Sequence, residues 1–123
     1  MDRAHVDAWV AGYERAWRSP GTDALAELFT PDATYQQAPF HGPVVGLDAI
    51  AEMWEAEREG PDEVFHLNYE IVAVDPAESV AVVRLDVEYG EPVEQEWADL
   101  WVVRFAPDGR CAAFEEWPFA PSE

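Results

Sequence analysis

Apolar residues in the first part of the chain recur every three or four positions, which is the period of an amphipathic helix. The first stripe predicts a helix with one aromatic face, formed by Val6, Trp9, Val10, Tyr13 and Trp17. Ser19-Pro20-Gly21 breaks the pattern and should end this helix. Thr22 is then expected to cap a short second helix, which Pro31 should end, with a buried stripe of Leu25, Leu28 and Phe29.

A third helix is predicted after a short strand and an irregular loop. Residues 33–37 have the pattern of the strand, and the loop at residues 38–43 is rich in Pro and Gly. Gly46 should begin the helix, and Gly60-Pro61 should end it. Its apolar stripe is formed by Leu47, Ile50, Met53 and Trp54.

From residue 64 onward the apolar positions alternate with a period of two, which is typical of β-strands. Four long strands are predicted, over residues 64–74, 80–89, 94–105 and 111–119. Strands joined by short turns should pair in antiparallel. The pattern therefore predicts one α+β domain over residues 1–123, in which three helices close a cone-shaped, curved antiparallel sheet around a pocket.

Acidic side chains interrupt the apolar face of two of these strands. Asp99 shares its face with large apolar neighbours such as Trp97 and Trp101. A charged carboxylate there is unfavourable unless it is paired, hydrogen-bonded or protonated. On the last strand either Glu115 or Glu116 must point inward with Phe114, and Glu116 is preferred. The acids would form the polar part of a small-molecule site, or they would only satisfy backbone groups or an arginine.

The histidines and the known motifs give little sign of a metal or cofactor. His41 lies in the Pro/Gly loop, where it could reach a pocket mouth or point into water, and His66 lies on a polar strand face that suits solvent or an interface. The three histidines lack metal-ligand spacing. There is no nucleophile elbow, phosphate loop or dinucleotide fingerprint. We therefore expect neither metal nor cofactor.

The composition restricts the partners and the compartment. The net charge is −19, from 26 acidic residues and only seven basic ones, all of them arginine. Such a surface should repel nucleic acids and anionic membranes, and it could serve solubility alone or steer a cationic ligand. Cys111 is the single cysteine, and no signal peptide or membrane-spanning apolar run is evident, so we expect a cytoplasmic protein.

Three motifs resemble those of the nuclear transport factor 2-like superfamily and, within it, of the SnoaL-like proteins. Residues 28–35 are similar to the "LF..DA.." signature, residues 46–50 to the "G.eaI" helix start, and residues 105–110 to the "F...G+" turn. The resemblance covers essentially the whole chain and implies the cone-shaped fold. The superfamily includes ketosteroid isomerase, scytalone dehydratase, limonene epoxide hydrolase, polyketide cyclases and binding domains, so the site must decide the function.

The resemblance to ketosteroid isomerase implies roles for particular residues. Tyr13 matches a tyrosine, and Asp99 a protonated aspartate, that donate hydrogen bonds to an oxyanion; counting back from Phe105 places Trp101 at the aspartate position instead. The general base falls at Gln37, whose amide is not a useful proton acceptor. The resemblance therefore disfavours steroid isomerisation itself. The dehydratase and epoxide hydrolase residue sets have no convincing counterpart.

Two hypotheses of function follow. One is a cofactor-free acid-base enzyme of isomerase, cyclase or dehydratase type, acting on a neutral hydrophobic carbonyl or polycyclic substrate. In it Asp99 and Tyr13, bonded to each other, would stabilise an oxyanion, and Glu116 or His41 would move the proton. The other is a non-catalytic ligand-binding or dimerisation domain. In both, the expected pocket lining is Trp9, Trp17, Tyr35, Gln37, Phe40, Trp54, Trp97, Trp101 and Phe114.

The outer face of the predicted sheet suggests a homodimer. Trp117 and Phe119 alternate with Phe114 and Glu116 and would expose large apolar surface in a monomer. Leu100 and Val102 lie on the corresponding face of the adjacent strand. We therefore expect two copies to associate through this face.

Overall fold

The computed structural model describes residues 1–58 and 64–119, and in these ranges three helices accompany one six-stranded curved sheet. The confirmed fold class is α+β. No described helix is long and apolar enough to cross a membrane. In chain order the elements are α1 (Arg3–Trp17), α2 (Leu25–Leu28), β1 (Phe29–Gln36), β2 (Val44–Val45), α3 (Leu47–Glu57), β3 (Phe65–Asp75), β4 (Val80–Tyr89), β5 (Gln95–Phe105) and β6 (Cys111–Phe119).

The strand order across the sheet is β2-β1-β6-β5-β4-β3. Strands β3 to β6 form the predicted antiparallel meander. The pairing of β1 with β6 is parallel, however, with Tyr35 beside Phe114, so the sheet is not antiparallel throughout. This pairing places β1 against the last described strand and brings residues distant in sequence side by side in the sheet.

The junction of α2 and β1 differs from the prediction. Ala24, not Thr22, is the N-cap of α2, and no side chain caps the helix; Thr22 contributes only its backbone oxygen, to the Leu25 amide. Phe29 is already extended, with φ −124° and ψ 145°, and begins β1. Pro31 therefore lies inside the strand, at the irregularity in the β1–β6 register, where its missing N–H is tolerated.

The two-residue strand β2 was not predicted, because two valines are too few to show an alternation. Val44 and Val45 pair in antiparallel with Tyr35 and Thr34 of β1. Gly46 then begins α3, as predicted, with a φ of 93° that favours glycine. The helix ends at Glu57, and the predicted stop at residues 60–61 lies outside the described residues.

The core lies between α1, α3 and the sheet face that α1 covers, here called the inner face. The Tyr13 ring of α1 packs on Trp101 of β5 and on Trp54 of α3, with ring centroids 4.5 Å and 4.9 Å apart. The predicted apolar faces of β4 and β5 are buried here, as Val83 and Val103 show. The inner face thus combines the aromatic stripe of α1 with the apolar faces of the meander.

Arg58, just after α3, is a buried cation that ties this helix to the end of α1. Its Nη1 donates to the backbone oxygens of Ala16 and Trp17, both at 3.1 Å, and also to that of Ser19, while Nη2 pairs with Glu55. The guanidinium thereby donates to carbonyls at the C-terminal end of α1, where helical hydrogen bonds run out. This contact fixes the spacing of the two helices that border the pocket.

Candidate functional site

A cavity of about 1030 Å³ opens between α1, α3 and the inner face of the sheet. Its walls combine aromatic, aliphatic and acidic side chains from helices and strands. The aromatic residues that line it are Tyr13, Trp17, Tyr35, Phe65, Tyr89, Trp97 and Trp101. A cavity of this size and character accommodates a small organic molecule.

A chain of hydrogen bonds connects two tyrosines to a carboxyl group in this cavity. The Tyr13 hydroxyl lies 2.7 Å from that of Tyr35, and the Tyr35 hydroxyl donates to Oε1 of Glu116 at 3.1 Å. A hydroxyl has one proton, so while Tyr35 donates to Glu116, Tyr13 is the donor to Tyr35. The predicted hydrogen bond between Tyr13 and Asp99 is therefore wrong, because the Tyr13 hydroxyl bonds to that of Tyr35 instead.

Glu116 continues this chain to Asp99, since the two carboxyl groups are neighbours and form a hydrogen bond when one is protonated. They lie on the paired strands β6 and β5, where Glu116 is opposite Trp101 and Asp99 is opposite Pro118. Burial raises the pKa of Glu116 well above its ordinary value, and the charge of Asp99 raises it further.

Burial also raises the pKa of Asp99, while its hydrogen bond with Glu116 opposes that shift. The pKa values of both acids are raised by burial, and the two carboxyl groups titrate together as a pair. Between its two titration steps the pair thus carries one proton and one negative charge. It contains an acid and a base side by side.

Both tyrosines remain neutral donors. Burial raises the pKa of Tyr13 and of Tyr35 well above 10.0, and the nearby Glu116 carboxyl raises both further. Neither hydroxyl can act as a base at ordinary pH. Their function in the chain is to donate hydrogen bonds toward Glu116.

One carboxylate oxygen of the Asp99–Glu116 pair has no hydrogen-bond partner among the described residues. Asp99 is 7% exposed, and its Oδ1 is buried without a hydrogen bond to any described residue. The nearby Trp101 indole lowers the pKa of both acids. Its Nε1 nevertheless has no hydrogen-bond partner of normal geometry among the described residues. An unpaired buried acceptor beside a cavity is suited to a ligand or to bound water.

The cavity contains eight of the residues predicted for the site. These are Tyr13, Trp17, Tyr35, Gln37, Trp97, Asp99, Trp101 and Glu116. Glu115 is not among the lining residues; it pairs with Val102 on the opposite side of the strand. His66 is also outside the cavity lining, with a side chain 61% exposed and 3.7 Å from Glu91.

Five other predicted residues do not line the cavity. Trp9, Trp54 and Phe114 are buried in the core, where the Trp9 indole donates to the Leu28 oxygen at 3.0 Å. Phe40 is 96% exposed, His41 is exposed beside it, and neither lines the cavity. His41 is therefore not placed to move a proton in this site.

The sequence did not reveal four glutamates that line the outer part of the cavity, here called the mouth acids: Glu14, Glu57, Glu91 and Glu94. Glu14 pairs with Arg18 at 2.9 Å, and Glu57 accepts a hydrogen bond from Gln37 at 2.7 Å. Acidic residues are so frequent in this chain that their sequence positions alone carried no signal. Phe65 and Tyr89 also line the cavity and were not among the predicted site residues.

Comparison with known proteins identifies the fold and the family. No curated protein matches the sequence. Among solved structures, the epoxide hydrolase/cyclase-like enzyme SalBIII of pyran ring formation in the polyether salinomycin is similar with TM-score 0.74 and 17% identity, over 96% of this chain and 93% of that one. A steroid delta-isomerase from Pseudomonas aeruginosa is similar with TM-score 0.67 and 22% identity, over 95% and 81%.

A protein of unknown function with a cystatin-like fold from Methylobium petroleophilum has TM-score 0.71 and 16% identity, and the similarity covers 100% of this chain and 81% of that one. At such identities these likenesses show the fold, which is the nuclear transport factor 2-like fold of ketosteroid isomerase. The SnoaL-like domain model matches residues 6–114. Since this match spans most of the sequence, the chain belongs to the SnoaL-like domain family.

Proposed function

We propose that this protein is a cofactor-free acid-base enzyme of isomerase or cyclase type, acting on a small, neutral and largely hydrophobic substrate. The observation that carries the proposal is the Asp99–Glu116 carboxyl pair. It lies in the same cavity as the hydrogen-bonded Tyr13 and Tyr35. An acid and a base in contact can each serve one end of a proton transfer. The substrate would bring an oxygen function, such as a carbonyl or an ether oxygen, to the pair.

The proton balance of such a step is simple. Protonated Glu116 gives its proton to the substrate oxygen, while the Asp99 carboxylate takes one from a C–H or O–H group of the same molecule. The substrate thus gains and loses one proton, as isomerisation and ring closure both require. The hydrogen bond between the two acids then returns the proton from Asp99 to Glu116 and restores the starting state.

The tyrosines support the acid in this step. Tyr35 donates to Glu116 and so stabilises the carboxylate that remains after proton transfer. Tyr13 donates to Tyr35 and strengthens that bond, because hydrogen bonds in a chain polarise one another. The isomerase and the cyclase-like enzyme among the structural neighbours are consistent with proton-transfer chemistry in this fold.

The experiment is to test turnover on a panel of neutral cyclic ketones and hydroxy-epoxides in D₂O, with product and deuterium uptake followed by NMR. Glu116→Gln and Asp99→Asn should each reduce turnover by about a hundredfold or more. Glu115→Gln removes the same charge from the residue next to Glu116, outside the cavity, and should have little effect on turnover. Retention of turnover by both cavity variants would contradict the proposed mechanism.

A non-catalytic binding domain is the second candidate. It is favoured by Gln37, which occupies the position that the resemblance gives to a general base and donates instead to Glu57. In that case the wild-type cavity would bind neutral hydrophobic molecules, and none of the tested ketones and hydroxy-epoxides would be converted.

We further infer that the protein is a homodimer joined through the outer face of the sheet. Trp117 pairs with Leu100 in the β5–β6 ladder, and Phe119 pairs with Ala98 beside them. Phe119 is 65% exposed. An apolar group of this size is favourably covered by a second copy.

A further inference from the structure

The charges that line the cavity are all of one sign. Its described lining residues include six carboxyl groups and no lysine, arginine or histidine: Glu14, Glu57, Glu91, Glu94, Asp99 and Glu116. Arg18 and His66 approach this set, at Glu14 and Glu91, but neither lines the cavity. A ligand in the cavity therefore lies in a negative potential that the aromatic walls do not screen as water would.

We propose that the cavity selects hydrophobic molecules that carry one positive charge, or develop one while they react, beside Asp99, and that it rejects anions. The innermost attraction is the buried and unpaired Oδ1 of Asp99. Trp97 and Trp101 line the same cavity, and an indole attracts a cation through its electron-rich ring. This inference rests on the proposed function in that it takes the same cavity as the binding site.

The hydrogen bonds explain why a negative charge would be poorly stabilised. The Tyr13 proton is directed to Tyr35, and the Tyr35 proton is directed to Glu116, so neither hydroxyl remains free to donate to an oxyanion. An enolate would meet carboxylates and no cation. A protonated epoxide or an oxocarbenium ion would instead meet the Asp99 carboxylate. The reaction class that fits is ring opening, ring closure or elimination through a cation-like state.

Three probes of similar shape separate charge from hydrophobicity: 4-phenylpiperidine, which is cationic at pH 7, neutral 4-phenylcyclohexanol, and anionic 4-phenylcyclohexanecarboxylate. Binding is followed by tryptophan fluorescence, since Trp17, Trp97 and Trp101 line the cavity. The cation should bind at least about tenfold more tightly than the alcohol, and the carboxylate at least about tenfold more weakly. If the alcohol binds as well as the cation, the charge inference is overturned while the pocket remains. If none of the three binds, the pocket proposal fails too.

Matched variants locate the effect in the cavity. Asp99→Asn should reduce cation affinity about tenfold and leave alcohol affinity within about twofold, and Glu94→Gln at the mouth should act in the same direction but less. Glu78→Gln changes the net charge by the same amount on an exposed turn, and it should leave both affinities unchanged. Circular dichroism verifies that each variant is folded. An equal loss of cation affinity in Glu78→Gln would assign the effect to overall charge and overturn the inference, as would an unchanged charge preference in both cavity variants.

Discussion

Tyr35 and Glu116 are joined by a 3.1 Å hydrogen bond, although they are 81 positions apart in the sequence. Tyr35 also accepts from Tyr13, so its hydroxyl is the central member of the chain. Tyr35→Phe should therefore leave two buried groups without their partner and destabilise the protein by about 2–3 kcal/mol. Tyr13→Phe preserves the bond to Glu116 and should cost only about 1 kcal/mol. Urea unfolding of both variants measures the difference; a larger loss for Tyr13→Phe would show that the chain is ordered differently.

The raised pKa of Glu116 makes stability depend on pH. Above the ordinary glutamate value of 4.5 the unfolded chain loses this proton while the folded protein keeps it. The folded state then binds more protons than the unfolded one, so this group's contribution to stability falls as pH rises from 4.5 toward the raised pKa. Glu116→Gln should remove that fall. Unfolding free energies measured across this window in wild type, Glu116→Gln and the charge-matched Glu115→Gln give the comparison, and parallel wild-type and Glu116→Gln profiles would contradict the prediction.

Asp99→Asn should lower the pKa of Glu116. The carboxylate of Asp99 raises that pKa by repulsion, and the amide has no charge. Burial is the larger cause and remains, so the pKa should stay above the ordinary value. Titration of the glutamate side-chain carboxyl carbons by NMR measures both shifts. An unchanged Glu116 pKa would mean that the two acids do not interact.

Arg58→Met should destabilise the fold by about 3–5 kcal/mol, because it removes a buried cation and its hydrogen bonds to the backbone oxygens of Ala16, Trp17 and Ser19. Arg104→Met removes the same charge from an exposed position on β5 and should change stability by less than about 0.5 kcal/mol. Thermal and urea unfolding of the two variants provide the comparison. Similar losses in both would indicate that net charge, rather than the buried contacts of Arg58, is responsible.

The proposed dimer should dissociate when the outer face is charged. Wild type should sediment at micromolar concentration as two 13.8 kDa chains, whereas Trp117→Glu should sediment as one. Phe40→Glu introduces the same charge at a residue that is 96% exposed elsewhere, and it should remain dimeric. A monomeric wild type would refute the dimer.

Much of the fold was predictable because each long element has a clear hydrophobic period. The limits of β4 and β6 agree with the prediction to the residue, since their alternation is regular from end to end. Short elements carry too few residues for a period, so β2 was missed and Phe29 was assigned to a helix rather than to β1. The parallel pairing of β1 with β6 is a contact between distant segments, and no local pattern encodes it.

The candidate site was predictable where a charge interrupts an apolar face. Asp99 and Glu116 were identified in this way, and both line the cavity. The partner of Tyr13 was not, because the choice between Tyr35 and Asp99 depends on how closely β1 approaches α1. Helical or strand spacing also shows only that a side chain faces inward, and not whether it meets a cavity or other side chains. Trp54 faces inward into solid packing rather than into the cavity.

The parallel pairing of β1 with β6 has a consequence for the order of folding. Strands β3, β4 and β5 can pair through short turns, but β6 must also be joined to a strand far away in sequence, which is entropically slow. Tyr35 and Glu116 come from this distant pair, so intermediates that contain only the β3–β5 meander lack the binding chemistry. A ligand of the cavity would therefore stabilise the completed sheet alone, and would slow unfolding without assisting the early steps of folding.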